Sequence, residues 1–339
     1  MKSLLKLGYE EKYEVIALVG DKELFNEFAD KVKLIEFSKS KRNWLFRLYY
    51  EYIYFYFFSR RENVDVWISL HDITPNVSAK KLYVYCHNPS PFNEMRIADA
   101  KYGLKYYLFS KFYKYLYAIN IHKADGVIVQ QDWMRKKFKS MYNLNNVIVS
   151  RPDLPSPVIK SSGKKSNNCI FVYPSYPRYY KNFESVCEAA VKLNDEGIKN
   201  FRIYLTVNGS ENNYSKMLVE KYGRYDEIIF CGLLSRNKLY ELYAQSDGLI
   251  FMSKLETWGM PITEFKPTKK AMIVADLPYA HETVGKYDDV SFVAPNNINS
   301  ISDSMMKIIE GKSLNKVSDL NDPVDPFYDG WTDLIKGIL

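Results

Sequence analysis

Short apolar runs alternate along the chain with longer stretches in which apolar and polar residues recur at helical spacing. Residues 13–19, 64–70, 82–86 and 126–130 read as strands of a first series. A second series holds Cys169–Tyr173, residues 201–207, Ile228–Phe230, residues 247–253 and Ala271–Ala275, with helical patterns over 182–194 and 237–245. Runs rich in Val, Ile and Tyr separated by helical lengths predict βα repeats and parallel sheets, whose strands are covered on both faces. Between the two series, residues 151–166 carry Pro152, Pro155 and Pro157 and the stretch Ser161-Ser162-Gly163-Lys164-Lys165, the composition of a linker.

The pattern therefore predicts an α/β protein of two Rossmann-like lobes with a ligand in the interdomain cleft, at the carboxyl ends of the strands. The expected division is a first lobe over 1–152, a linker over 153–167, a second lobe over 168–324 and a closing helix over 325–339. A chain of 339 residues is long enough for two separate cores.

Charge changes this picture. Residues 1–150 hold 24 Lys and Arg against 16 Asp and Glu, whereas residues 151–339 hold 23 against 24. The basic excess belongs to the first lobe and calls for an acidic partner, a membrane surface or a nucleic acid. Neither an RNA-binding motif nor a helix-turn-helix pattern supports nucleic acid. Residues 43–61 interleave aromatic residues with Arg47, Glu51, Arg60 and Arg61, and residues 102–117 repeat the style with Lys105, Lys111 and Lys114 among tyrosines. The first stretch is too short and too charged to span a bilayer. Aromatic and basic residues together suit an anionic membrane surface; the alternative is a pair of core helices in a Tyr-rich protein. The four cysteines, Cys86, Cys169, Cys187 and Cys231, have no CxxC spacing and suggest a reduced, cytoplasmic compartment. The N-terminus lacks a signal-peptide pattern. The expected location is cytoplasmic, with peripheral attachment to the inner membrane face.

The candidate chemistry centres on Leu255-Glu256-Thr257-Trp258-Gly259-Met260-Pro261-Ile262-Thr263-Glu264. It follows an apolar strand, and Pro261 suits the first turn of a helix. Gly259 allows close approach to the backbone. A carboxylate accepts two charge-assisted hydrogen bonds from a sugar diol, and a helix start suits a phosphate. A sugar nucleotide would satisfy both. A second constellation, residues 173–183, joins a strand to a helix and carries Arg178 and Lys181, cations that could neutralise a leaving diphosphate. His87 and His71 each follow a strand of the first lobe, where a histidine can reach a sugar hydroxyl; His122 reads as structural. Histidines and cysteines show no metal-ligand spacing, so no metal or other cofactor is expected.

Glu256 to Glu264 resembles the Glu-x7-Glu motif of the retaining glycosyltransferases of family 4, which have the GT-B fold. Phe230-Cys231-Gly232-Leu233-Leu234 is similar to that family's Phe-x-Gly segment near the nucleotide base. Residues 239–247 and 275–282 are similar to the segments flanking the motif, and the likeness extends over 168–310 and, more weakly, 64–152. The resemblance implies that Glu264 holds the ribose hydroxyls and that Glu256 sits at the donor hexose. It also implies that backbone groups of Thr257, Trp258, Gly259 and Met260 contact the sugar or diphosphate, with Gly232, Leu233 and Leu234 at the base. Lys181 falls where the family's diphosphate lysine falls, and His87 near a donor hydroxyl. The family's arginine lies five residues before that lysine, where this chain has Tyr176, so Arg178 would act from a shifted position. Family members begin with a strand and a Gly-rich loop, whereas Met1-Lys2-Ser3-Leu4-Leu5-Lys6 resembles the middle of the following helix; the first strand and loop are expected to be missing. Residues 325–339 resemble the final helix that packs back on the first lobe.

The reaction implied is metal-independent transfer of a hexose, with retained configuration, from a nucleoside diphosphate sugar of the UDP class. The acceptor would be a glycan or a lipid-linked intermediate of surface polysaccharide synthesis. Rival readings are a sugar-nucleotide epimerase on the same fold, which would alter the donor with no acceptor present, and a catalytically impaired, non-enzymatic partner.

Overall fold

A computed structural model describes residues 1–93, 104–153, 159, 167–314, 320 and 322–339. Most of the linker expected over 153–167, and Tyr102 at the head of the second aromatic stretch, lie outside the described residues. The chain divides into two compact units, one of Met1–Phe92, Ser110–Asp153 and Pro323–Leu339, the other of Asn93–Phe109 and Leu154–Asp322.

In the first unit a short helix α1 (Lys2–Lys6) precedes two parallel strands, β1 (Ile16–Val19) and β2 (Lys33–Glu36), which form a sheet of their own. Helix α2 (Lys39–Arg42) leads to α3 (Trp44–Tyr49), a π-helical turn over Tyr50–Tyr54 and α4 (Phe55–Arg61). The Asn43 side chain starts α3 by accepting the Leu45 N–H at 2.8 Å, which satisfies one of the helix's free donors. Strands β3 (Val66–Ser69), β4 (Lys81–Cys86), β5 (Gly126–Val129) and β6 (Val147–Ser150) pair in parallel, with α5 (Leu104–Ala118) and α6 (Asp132–Tyr142) between them in sequence. All of β5 is buried, as befits a strand covered on both faces.

The second unit is built on one six-stranded parallel sheet and also takes in the start of α5, Leu104–Phe109. Its elements in chain order are β7 (Cys169–Tyr173), α7 (Phe183–Asp195), β8 (Phe201–Leu205), α8 (Asn213–Tyr222), β9 (Ile228–Phe230), α9 (Arg236–Gln245) and β10 (Gly248–Phe251). They continue as α10 (Met260–Phe265), β11 (Ala271–Ala275), α11 (Pro278–Val284), β12 (Val290–Val293) and α12 (Ile298–Ile309). The strand order is β12-β11-β10-β7-β8-β9. This is the doubly wound order, in which the chain reverses direction across the sheet between β7 and β10. Loops leaving the carboxyl ends of these two strands diverge there, and ligands of such sheets bind in the resulting crevice.

The last seventeen residues return to the first unit. Strand β13 (Phe327–Tyr328) pairs in parallel with β6, so the sheet order is β13-β6-β5-β4-β3. Helix α13 (Trp331–Ile338) buries Leu334 and Ile338 against Tyr83, Tyr85 and Ile128. The helix expected over 325–339 is thus shorter. Gly330 stands just before it at φ +96, a conformation that glycine adopts without strain, and Phe327 and Tyr328 are spent on the sheet. No described helix is long and apolar enough to cross a membrane.

Candidate functional site

Lys181 and Glu256 meet across the β7/β10 switch point. The Lys181 ammonium donates a hydrogen bond to a Glu256 carboxylate oxygen, and each side chain is only 14% exposed. The ammonium also lies 5.8 Å from the centre of the Phe251 ring at the end of β10. Several contacts fix the lysine. The buried Tyr173 hydroxyl at the end of β7 donates to the Lys181 carbonyl. The next residue, Asn182, has φ +56, which asparagine tolerates better than most side chains. Its amide donates to Pro295 O at 2.7 Å, and its Oδ1 accepts the Ser185 hydroxyl at 2.9 Å, which turns the chain into α7. The Phe183 ring stacks on Tyr173 with centroids 4.5 Å apart. The Lys254 N–H donates to Tyr180 O at 2.7 Å, tying the two loops together along the backbone.

The stretch from Thr257 to Met260 is a built turn. Gly259 has φ +88, and an added Cβ would lie 3.4 Å from both Ile262 and the Tyr279 ring. The Trp258 indole N–H donates to Thr263 Oγ1 at 2.9 Å, and its carbonyl accepts the Thr283 hydroxyl. Trp258 is buried, whereas Thr257 and Met260 are half-exposed. Glu264, on α10, accepts a long hydrogen bond from the buried Tyr243 hydroxyl at 3.4 Å and lies 4.0 Å from the Arg236 guanidinium. Burial raises its carboxyl above the usual range, and the Arg236 charge and Tyr243 hydroxyl only partly offset this.

The other expected residues are placed as follows. Gly232 is buried at φ +72, and its N–H donates to Val207 O at 3.1 Å. Leu233 is 60% exposed and Leu234 half-buried. Arg178 is exposed, with its guanidinium 5.1 Å from the Tyr176 ring. His87 belongs to the first unit, where its Nδ1 lies 3.3 Å from Asp72 Oδ1. The structure thus joins Lys181 to Glu256, gives Glu264 separate partners, and seats His87 on an aspartate.

Three of these partners escape a reading of the sequence. Arg236 lies in a polar helix start with no motif around it. Thr283 matters only through its contact with Trp258. Asp72 stands beside His71, which drew attention instead. Among the described residues, no group of three or more His, Cys, Asp or Glu is arranged to hold a metal ion.

Comparison with known proteins bears on the second unit above all. Residues 157–321 match the family model described as glycosyl transferases group 1. No curated protein matches the chain. Among solved structures, a glycosyltransferase from Rickettsia africae is 17% identical, with a TM-score of 0.64, over 91% of this chain and 82% of its own. The lipopolysaccharide outer core galactosyltransferase WaaB is 12% identical, with a TM-score of 0.58, over 86% and 78%. A TarM mutant from S. aureus, in complex with fondaparinux, alpha-GlcNAc-glycerol and UDP, is 16% identical, with a TM-score of 0.53 over 68% of this chain. The chain spans 44% of TarM's length, under half. At such identities these likenesses speak for the fold alone. The fold is that of the GT-B glycosyltransferases, two Rossmann-like units, and the segment 157–321 carries the pattern of glycosyl transferases group 1.

Proposed function

We propose that the chain is a glycosyltransferase that moves a hexose from a nucleoside diphosphate sugar, of the UDP class, to a glycan or lipid-linked acceptor of surface polysaccharide synthesis. The observation that carries this reading is the Lys181–Glu256 pair at the switch point of a unit that matches glycosyl transferases group 1. In this reading Glu264 accepts the ribose hydroxyls, Lys181 faces the diphosphate and Glu256 holds the hexose, and the role of His87 is to bond a sugar hydroxyl. Gly232, Leu233 and Leu234 lie by the base, and the Thr257–Met260 turn lines the sugar and diphosphate. Arg178 adds positive charge from the rim.

The reaction needs no enzymatic nucleophile and, in this proposal, no metal. The bond from the anomeric carbon to the diphosphate oxygen breaks, and the acceptor oxygen bonds to the same face of that carbon. The acceptor proton passes to the departing diphosphate, so the configuration is retained. Catalysis then rests on positioning and on Lys181, whose charge stabilises the negative charge developing on the diphosphate. A donor screen read by nucleotide release, with a membrane extract as acceptor, tests the proposal. Release that depends on acceptor supports it; conversion of the donor with no acceptor present would show an epimerase. An inverted anomeric product would remove the front-face mechanism.

The membrane part of the proposal rests on two exposed apolar stripes. Leu45, Tyr49, Ile53 and Phe57 recur every four residues, and all are exposed. Along α5 and just past its end, exposed Leu108, Phe112, Tyr115 and Ile119 recur every three or four residues, beside Lys111 and Lys114. Apolar stripes edged by cations fit an anionic lipid surface. Flotation with anionic vesicles but not with zwitterionic ones is the expected result, and indifference to lipid charge would remove this part.

A further inference from the structure

The carboxylate of Asp72 gathers the end of β4. Asp72 follows β3 in the turn at residues 70–73, is 7% exposed, and has φ +68, where Asp is among the tolerated side chains. Its Oδ1 accepts the backbone N–H of His87 at 2.7 Å, that of Asn88 at 3.1 Å and the Tyr117 hydroxyl at 3.0 Å. The backbone joins in: the Asp72 N–H donates to Tyr85 O at 3.2 Å, and the Asp72 carbonyl accepts the Cys86 thiol at 3.6 Å. The same Oδ1 lies 3.3 Å from Nδ1 of the His87 ring. One face of that ring stacks on Tyr85, with centroids 5.5 Å apart and planes 25° from parallel. The imidazole is thus held at a face and at one edge, while its side chain stays 46% exposed.

A carboxylate oxygen accepts hydrogen bonds, so its approach to Nδ1 favours a proton on that ring nitrogen over one on Nε2. A neutral imidazole has a single N–H, and the other nitrogen is then an acceptor. The two backbone N–H bonds would be enough for an aspartate that merely ties the turn to the strand. The added approach of Nδ1 goes beyond that need.

We infer that Asp72 is a positioning residue that fixes His87 in its Nδ1–H form and leaves Nε2 as an acceptor for a ligand hydroxyl. The hydroxyl rests on the transferase reading above; the state of the ring does not.

The test is long-range proton–nitrogen correlation of the histidine side chains in the full chain at about pH 8, with His87 assigned through His87→Gln. Wild type should show the Nδ1–H form. Asp72→Gly, compatible with φ +68, should move the population toward Nε2–H. Tyr117→Phe removes a hydroxyl hydrogen bond to the same oxygen without touching the ring and should leave the form unchanged. If Asp72→Gly does not fold, Asp72→Asn keeps an oxygen for the backbone donors and should give the same shift in smaller measure. In nucleotide release, Asp72→Gly should lower kcat/KM by about 3- to 10-fold, the worth of one hydrogen bond, and should add nothing to His87→Ala. An Nε2–H ring in wild type, an unmoved ring in the Asp72 variants, or additive losses would overturn the inference. A chain that turns over no sugar nucleotide removes the transferase reading instead, and the ring measurement still decides whether Asp72 sets the imidazole.

Discussion

Lys181 and Glu256, 75 residues apart in the chain, form an ion pair that closes the gap between the loops leaving β7 and β10. With both side chains largely out of water, removing either leaves a charge without its counterpart. Single variants Lys181→Met and Glu256→Gln should each lose about 2–3 kcal/mol of stability, less than the ~3–5 kcal/mol of a fully buried pair. The double variant should recover part of that loss. Urea unfolding of all four proteins measures the coupling; strictly additive losses would mean that the contact contributes nothing.

The same pair predicts activity. Lys181→Ala should lower nucleotide release by about 10²-fold or more, the scale of losing one preorganised charge donor at a leaving group. Stability lost through the broken pair is separated from this by assaying well below the variant's melting temperature. A folded Lys181→Ala protein with wild-type turnover would sink the assignment of the diphosphate to this site.

Glu264 gives a pH dependence with a definite sign. Its carboxyl titrates above the ordinary range because of burial. Ribose hydroxyls would donate to the ionised form, so a bound nucleotide would pull the pKa down. Affinity for UDP should therefore fall as pH drops through the carboxylate range, with its midpoint above the ~4.3 of a free glutamate. Calorimetric titration between pH 4 and 8 reads it. Glu264→Gln should flatten the profile.

Glu51 offers a test away from the site. It is buried in the π-helical turn, and burial pushes its carboxyl up to about 7, with the Arg47 charge opposing weakly. The folded state prefers the protonated form, so this group's contribution is present below the unfolded pKa and is lost as pH rises through about 7. Glu51→Gln should stabilise the protein by about 1–3 kcal/mol at pH 8 and change little at pH 4. Chemical denaturation at the two pH values decides it.

Gly259 should resist substitution. At φ +88 any side chain is strained, by about 1–2 kcal/mol. Gly259→Ala should lower stability by that amount and bring its methyl against Ile262 and the Tyr279 ring; an unchanged melting temperature would contradict the strained turn.

Legibility in the sequence followed the contrast between an apolar run and the polar residues around it, not burial alone: β6 and β12 are mostly buried and β9 is not. Cys169–Tyr173, Ile228–Phe230 and Ala271–Ala275 read as strands with the bounds the structure gives them, because an apolar run between polar turns is unambiguous. Strands β2, β6, β12 and β13 went unread. Strand β2 has exposed, charged ends, and β13 is two residues long, so neither stands out from its surroundings. Lys181 and Glu256 were each recognisable from their local segments, but no pattern within either segment says that they touch. Asp72 was illegible for a different reason: its role depends on a backbone turn and on bonds to residues 15, 16 and 45 positions away.

The return of residues 323–339 to the first unit has a consequence for the order of events during synthesis. Residues 154–322 are contiguous and leave the ribosome before the strand and helix that complete the first sheet. Until then β6 lacks its β13 neighbour and Tyr83, Tyr85 and Ile128 lack their cover. The first unit's sheet is completed only after residues 154–322 have been made, so a chain lacking residues 323–339 would carry a sound second unit joined to an open, sticky first one.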